Sequence, residues 1–160
     1  MKETFKGAVH MIIEDNNKIL VQKRKGTKLW NGYYALPAGH IDQGENQYDA
    51  VIREAKEELD IDIDIDKNDL EDVGVVLRRN YFDIDGRILD PYIDFYFKIN
   101  TYRGTPVIAE KDKCDELIWV DKNNLPKKFI NYEGDFLENN NIKIYDCKFQ
   151  GEYVKNQNKK

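Results

Sequence analysis

The sequence has few cysteines and no feature of a secreted or membrane protein. Cys114 and Cys147 form neither a metal-ligand spacing nor a disulfide framework, which indicates reduced thiols in an intracellular protein. No stretch is apolar enough for a signal peptide or a membrane-spanning helix. Positive charge is not in excess either, because the net charge is −5. These absences argue against nucleic acid and membranes as partners and predict a cytoplasmic protein.

Internal repeats and linkers are also missing from the chain. Its 160 residues are 41% hydrophobic and 12% aromatic, which is enough for one globular domain with a core and argues against disorder. We predict a single domain over residues 1–155 and a disordered tail over residues 156–160. The oligomeric state, monomer or homodimer, stays open.

Residues 39–61 contain an acidic segment with helical spacing. Glu57 and Glu58 follow Glu54 by three and four positions, so the three carboxylates share one face of a helix, with Arg53 at its edge. An apolar stripe recurs on another face at Tyr48, Ile52, Ala55 and Leu59. Like charges at this spacing destabilise a helix, and oxygen-rich clusters suit hard divalent cations. The alternative interpretation is a solvated acidic surface.

The full spacing of this segment resembles the box of the Nudix hydrolases, G-x5-E-x7-R-E-U-x-E-E-x-G-U, where U is aliphatic. Ala55 and Ile61 fill the aliphatic positions. The departure is Asp60, which stands where the family has the glycine that closes the helix in a left-handed conformation. We expect this change to cost some stability and no activity. Six of the seven fixed residues match, namely Gly39, Glu45, Arg53, Glu54, Glu57 and Glu58.

Hydrophobic periodicity and turn residues predict an α+β protein. Helices are expected over residues 46–59 and 124–139, and a hairpin turn over Asp83–Gly86. In the strand over 87–99, one face is apolar and consists of Ile93, Phe95, Phe97 and Ile99. Trp119 is expected in the core. Further strands are predicted over residues 5–13, 18–23, 33–36, 61–65, 72–82, 117–120 and 142–149. The resemblance specifies this as the Nudix fold, an α/β/α sandwich with a mixed sheet between helices.

The resemblance implies hydrolysis of a nucleoside diphosphate linked to another group, with Mg2+, or Mn2+ in its place, as the cofactor. Glu57 and Glu58 are the first candidates for metal ligands, and Glu54 is a third. Gly39 would contribute a backbone carbonyl. Glu45 would either support the loop or bind a second metal through water. Arg53 would orient and neutralise the glutamates through a bidentate pair.

The general base is left open between two acids. Family members use either a box glutamate, here Glu54, or an acid from a later loop, for which Glu110 is the candidate. Asp112 is a weaker candidate in the same loop. Glu110 is equally well explained as a solvated loop carboxylate.

Substrate contacts are expected from residues outside the acidic helix. Arg24 ends a strand at the place where MutT-like members put a phosphate-contacting arginine, and His40 directly follows Gly39. A base could stack on an aromatic ring, although each candidate is equally a core residue. The candidate rings are Trp30, Tyr33, Tyr81, Phe129 and Tyr132; Phe129 is taken as the substrate-binding candidate.

Motifs of other subgroups are missing after the box. Residues 75–78 contain neither the proline of ADP-ribose-type members nor the tyrosine of dinucleoside polyphosphate members. By elimination this favours the MutT-like group, which acts on nucleoside or deoxynucleoside triphosphates. The alternatives are a Nudix enzyme for nucleotide sugars or dinucleotides, a non-catalytic nucleotide sensor of the same fold, and an unrelated α+β protein with an acidic surface helix.

Overall fold

The computed structural model describes residues 1–27, 29–80 and 90–147. Within these ranges the chain forms nine strands, two α-helices and one short 3-10 helix, Ile65–Lys67. In chain order they are β1 (Lys6–Ile12), β2 (Glu14–Asp15), β3 (Lys18–Arg24), β4 (Tyr34–Ala35), β5 (Ala38–His40), α1 (Gln47–Leu59), β6 (Leu70–Asn80), β7 (Tyr92–Ile99), β8 (Cys114–Asp121), α2 (Asn131–Glu138) and β9 (Ile144–Cys147).

The described strands form one mixed sheet and one antiparallel sheet. The larger has the order β5-β1-β7-β6-β9, in which β1 runs parallel to β7 and antiparallel to β5. The smaller joins β2, β3 and β4, and β8 also pairs with β3. Helix α1 packs on one face of the larger sheet and α2 on the other. The predicted α+β sandwich with a sheet between helices is therefore confirmed.

Helix α1 begins and ends where its sequence predicts. Asn46 caps the first turn by accepting a hydrogen bond from the Asp49 N–H at 2.8 Å, and the Asp49 carboxylate accepts one from the Asn46 N–H at 3.2 Å. At the other end Asp60 adopts a left-handed conformation, with φ of 55°. Its carboxylate pairs with Lys56 at 3.0 Å. The helix therefore closes without the family glycine.

Both faces of β7 are buried, whereas the sequence predicted one apolar face. The predicted face, which includes Phe97 and Ile99, packs with α1 in the larger core cluster. The opposite face carries Asp94 and Tyr96, which are also buried, beneath α2. A period-two pattern shows which side chains share a face, and the layer that covers that face depends on the tertiary structure.

Several predicted elements are wrong in extent. The second helix covers only residues 131–138, because residues 128–130 run beside β4, where Tyr34 N–H donates to Lys128 and Ile130 N–H donates to Tyr34. The strand over 61–65 is instead an isolated bridge between Asp62 and Arg103, followed by the 3-10 helix. Trp119 is 38% exposed, since its strand lies at the edge of the smaller sheet, so its core assignment is also wrong.

The remaining expectations concern the chain ends, turns and cysteines. The predicted hairpin turn at residues 83–86, Tyr81 and the tail at residues 156–160 lie outside the described residues. Strands β6 and β7, which flank the turn, pair antiparallel. Cys114 and Cys147 are both buried. No helix in the described part of the chain has the length and apolar character needed to cross a membrane.

Candidate active site

A cleft of about 580 Å³ opens between the two sheets and the start of the box. One wall is formed by α1 and the loop before β8, which contribute Glu54, Glu57, Glu58 and Glu110. Another is formed by β1, β6, β7 and α2, through His10, Arg78, Tyr92 and Tyr132. Arg24, Thr27, Leu29 and Trp30 line it from the end of β3 and the following loop, and Gly39, His40 and Asp42 from the box.

Arg53 organises the carboxylates at the start of the box. It forms a bidentate pair with Glu45, through Nε at 2.7 Å and Nη2 at 2.9 Å. Its Nη1 donates to Glu54 at 2.8 Å and to Glu57 at 3.1 Å. The hydrogen bonds from Arg53 lower the pKa of Glu45 to about 2. Because both Glu45 oxygens are engaged by Arg53, its geometry favours loop support over a second metal site.

Three carboxylates converge in the cleft, and of these Arg53 bonds to Glu54. One oxygen each from Glu54, Glu58 and Glu110 lies within 4.8 Å of the other two, and we call this group the carboxylate cluster. Among the described residues, Glu58 Oε2 is buried without a hydrogen-bond partner. The structure therefore brings Glu110 together with two box glutamates. It leaves Glu57 half exposed and outside the cluster, paired with Arg53.

The electrostatics of the carboxylate cluster are unfavourable without a cation. Burial raises the pKa of Glu54, although Arg53 opposes the shift. Burial, followed by the charges of Glu54 and Glu110, raises the pKa of Glu58 well above its usual value. An oxygen-only donor set with an unpartnered buried oxygen fits a hard divalent cation.

Gly39 makes the close approach of Glu54 to the box strand feasible. A Cβ added at Gly39 would lie 2.0 Å from the Glu54 carboxyl carbon, so no larger residue fits without displacing that carboxylate. Gly39 pairs with Val9 across the β1–β5 ladder. Its role as a backbone ligand remains a prediction.

The loop that carries Glu110 is fastened to the last turn of α1. Ala109 N–H donates to the Glu58 carbonyl and Val107 N–H to the Leu59 carbonyl, each at 3.0 Å. These are carbonyls that a helix end leaves without internal partners. The backbone bonds set the position of Glu110 relative to Glu58, which local sequence patterns do not encode.

The predicted substrate contacts have different outcomes. Arg24 lines the cleft, and its Nε is buried with no partner among the described residues. His40 also lines the cleft, where its ring stacks on Tyr92 and its Nε2 lies 3.0 Å from the Tyr92 hydroxyl. Burial lowers the pKa of His40. Phe129 is fully buried in the core and offers no surface to a base, so that assignment is wrong.

Sequence reasoning missed a group of buried charges in the wall opposite α1. It consists of His10, Arg78, Asp94 and Glu133, and we call it the imidazolium cluster. His10 Nδ1 lies 2.6 Å from Glu133, and its Nε2 lies 2.9 Å from Asp94. Arg78 Nε donates to Asp94 at 2.6 Å. The available signal was an acid and a histidine within otherwise apolar strands.

Fold and site together define a hydrolase built on a mixed sheet, with a carboxylate cleft that suits a divalent cation. The NUDIX domain family model matches residues 4–139, and the chain therefore belongs to the Nudix family and is a Nudix hydrolase. Members of this family generally act with divalent metals on small nucleotide substrates.

Known relatives agree with this assignment. An ADP-ribose pyrophosphatase of Methanocaldococcus jannaschii is 34% identical, over 79% of this chain and 68% of its own length. A putative 8-oxo-dGTP diphosphatase of Bacillus subtilis is 26% identical, over 75% of this chain and 68% of its own. The crystal structure of a MutT NUDIX hydrolase from Burkholderia pseudomallei superposes with a TM-score of 0.72 at 25% identity, covering 85% of this chain and 98% of that one. The resemblance to MutT-like members is confirmed.

Proposed function

We propose that this Nudix hydrolase is a divalent-metal-dependent pyrophosphohydrolase for nucleoside diphosphate-X compounds. Its leading substrate class is the nucleoside or deoxynucleoside triphosphates, which it converts to a nucleoside monophosphate and pyrophosphate. The observation that carries this proposal is the unpartnered buried oxygen of Glu58 within the carboxylate cluster. A buried anion in this state needs a cation, and the adjoining cleft has the size of a nucleotide site.

Glu54, Glu58 and Glu110 would hold the cation. Mg2+ is the first choice because all three offer hard carboxylate oxygens, and Mn2+ is the alternative. When bound, such a cation neutralises charge on phosphate oxygens and acidifies a water molecule. Glu57 is close enough to join through a change in its exposed side chain, because it lies one residue before Glu58 on the same cleft wall.

Arg24 contributes positive charge for the phosphates. Its buried, unpartnered Nε is available to donate to a phosphate oxygen, and charge-assisted bonds of this type are stronger than neutral ones. Lys113 lines the same cleft and adds a second cation. Together they complement the negative charge that the substrate brings.

Two carboxylates can accept the proton of the attacking water. Glu54 has a raised pKa, which suits a base that works near neutral pH, but Arg53 holds one of its oxygens. Glu110 belongs to the same cluster and also forms a 3.5 Å ion pair with Lys113. The pH–rate profiles of Glu54→Gln and Glu110→Gln are compared at a Mn2+ concentration that saturates each variant, so that metal binding does not contribute, and loss of the base then removes the acidic limb.

ADP-ribose is the second candidate substrate. The Methanocaldococcus jannaschii relative bears the name of an ADP-ribose pyrophosphatase and is more similar than the Bacillus subtilis relative, at 34% against 26% identity. This similarity argues against excluding ADP-ribose as a substrate on the ground that residues 75–78 contain no proline. Hydrolysis of ADP-ribose would yield AMP and ribose 5-phosphate.

A substrate panel tests the proposal. Nucleoside triphosphates, 8-oxo-dGTP, ADP-ribose, nucleotide sugars and dinucleotides are incubated with the wild type, with Mg2+ or with EDTA, and the products are separated by chromatography. The matched control is Glu58→Gln. We expect metal-dependent release of a nucleoside monophosphate from one class. Nucleotide binding without any hydrolysis would contradict the proposal and favour the sensor alternative.

A further inference from the structure

The imidazolium cluster fixes the protonation state of His10 by its geometry. Both ring nitrogens lie at hydrogen-bond distance from a carboxylate, at 2.6 Å for Glu133 and 2.9 Å for Asp94. Ionised carboxylates only accept hydrogen bonds, and a neutral imidazole has a single N–H. His10 therefore donates from both nitrogens as an imidazolium. With Arg78 as the second cation, the two cations balance the two anions.

This imidazolium connects elements that are distant in the sequence. His10 lies on β1, Asp94 on β7, Arg78 on β6 and Glu133 on α2. The second oxygen of Glu133 accepts a hydrogen bond from the Leu36 N–H at 2.9 Å, just before the box. The protonated ring thus holds α2 against the sheet, and Glu133 also holds α2 against the segment that leads to Gly39.

The same contacts set the wall of the cleft that lies across from the carboxylate cluster. The Arg78 guanidinium lies over the Tyr132 ring at 4.0 Å and over the Tyr92 ring at 4.3 Å. Tyr132 immediately precedes Glu133 on α2, so the bond between His10 and Glu133 determines where this ring stands. His10, Arg78, Tyr92 and Tyr132 all line the cleft.

We propose that His10 is a positioning residue for the nucleoside end of the substrate, acting through Arg78 and Tyr132. The inference rests on the proposed function, because it assumes that the phosphates lie at the carboxylate cluster. The nucleoside then extends toward the wall formed by β1, β6, β7 and α2. Loss of His10 leaves Asp94 and Glu133 without their shared donor, and their repulsion moves α2, with Tyr132, away from the sheet.

The test compares His10→Gln with the double variant His10→Gln/Glu133→Gln. In the single variant both N–H donors of the Gln amide lie on one nitrogen and the group is uncharged, so it does not bridge the two carboxylates as the imidazolium does, whereas the double variant can form an uncharged amide pair. With the best substrate of the panel, we expect KM to rise about tenfold in the single variant, kcat to change less than about threefold, and the double variant to recover part of the loss. KM of the wild type should also rise as the pH passes about 9, where His10 loses its proton. The groups that face His10 are Asp94 and Tyr96 on β7, and Tyr132 and Glu133 on α2. Arg78 on β6 bonds to Asp94.

Calorimetry separates this inference from the proposed function. AMP, GMP and Mn2+ alone are titrated into the wild type and both variants, because a nucleoside monophosphate is the product whichever substrate is used. The inference requires weaker monophosphate binding in His10→Gln with unchanged Mn2+ binding. It is overturned by equal monophosphate affinity, or by joint loss of kcat and Mn2+ affinity at constant KM.

If the wild type hydrolyses nothing, the proposed function fails, and the calorimetry still decides on His10. If the variants do not fold, the wild-type pH dependence of monophosphate binding decides instead.

Discussion

The carboxylate cluster and the imidazolium cluster are both buried groups of charged side chains, but they differ in charge balance. In the carboxylate cluster, Arg53 reaches Glu54 and does not bond to Glu58, one oxygen of which has no partner among the described residues. In the imidazolium cluster, His10 and Arg78 between them bond to both carboxylates. The pKa shifts follow this difference. Burial and the neighbouring carboxylates raise the pKa of Glu58 well above its usual value. Burial acts in the same direction on Asp94, but the charges of His10 and Arg78 outweigh it and lower the pKa of Asp94 to about 2.

The difference indicates which group serves a ligand and which serves the fold. A buried charge without a partner costs free energy, so the chain tolerates it where an added cation supplies the missing charge. A balanced group needs no added charge and fixes the elements that carry it. The carboxylate cluster therefore has the properties of a site, and the imidazolium cluster those of a scaffold that shapes the same cleft.

Replacing Glu58 by Gln should give the largest effect. We expect kcat with Mg2+ to fall at least about a hundredfold, because a ligand to the cation is lost. In EDTA the variant should melt at the same temperature as the wild type or higher, since an unpaired buried charge is removed. Steady-state kinetics and thermal melts measure both. The comparison variant is Glu57→Gln, which asks whether this half-exposed carboxylate outside the cluster joins the cation. An equal loss in this variant would place Glu57 in the ligand set.

Replacing Asp94 by Asn should affect stability instead. The change leaves two buried cations without their shared anion, and breaking such a pair costs about 3–5 kcal/mol. Urea unfolding measures the free energy of unfolding. The matched control is Asp146→Asn, which removes an exposed partner of Arg79 and should cost less than about 1 kcal/mol. Similar losses in the two variants would remove the distinction between a scaffold and a surface pair.

The contrast also shows what the sequence alone could predict. The extent of helix α1 and the helical spacing of Glu54 and Glu58 depend on residues within a few positions of each other, and the structure places them as expected. His10 and Glu133 are 123 positions apart, and no local pattern pairs them. Glu110 was a candidate base, but its place beside Glu58 depends on backbone bonds between a loop and a helix end.

The assignments of Phe129 and Trp119 were wrong because burial also depends on contacts between residues far apart in the sequence. Phe129 belongs to a segment that the helical pattern extended too far, and its pairing with β4 places it in the core. Trp119 is a large apolar residue in a β-prone run, which is typical of a core strand, yet its strand is at a sheet edge. Composition and periodicity describe a residue's own strand or helix, whereas burial depends on the element that packs against it.

Addition of Mg2+ should stabilise the wild type through the carboxylate cluster. A ligand that binds only the folded state adds about 2.7 kcal/mol at a hundred times its Kd. We expect the melting temperature of the wild type to rise with MgCl2 and to return to its starting value when EDTA is added. The Asp94→Asn variant should show the same rise, although its melting temperature without metal is lower. Glu58→Gln should lose it. KCl at equal ionic strength controls for screening, and an equal rise in KCl would contradict specific binding.

The imidazolium cluster should make stability depend on alkaline pH. Asp94 and Glu133 raise the pKa of His10 from 6.5 to about 9, against the opposing effect of burial. A raised folded-state pKa means that the stabilisation is complete below about pH 6.5 and is lost as the pH rises through about 9. Within this window the folded state binds one more proton than the unfolded chain, so the free energy of unfolding falls by up to about 1.4 kcal/mol per pH unit.

Urea unfolding of the wild type and of His10→Gln between pH 6 and 10 measures this contribution. Other titrating groups, including the carboxylate cluster, are present in both proteins and cancel in the difference between their free energies of unfolding. That difference should be largest at pH 6 and shrink toward pH 10. A constant difference would mean that His10 does not carry its charge in the folded protein. The imidazolium cluster would then lack the charge balance that distinguishes it from the carboxylate cluster.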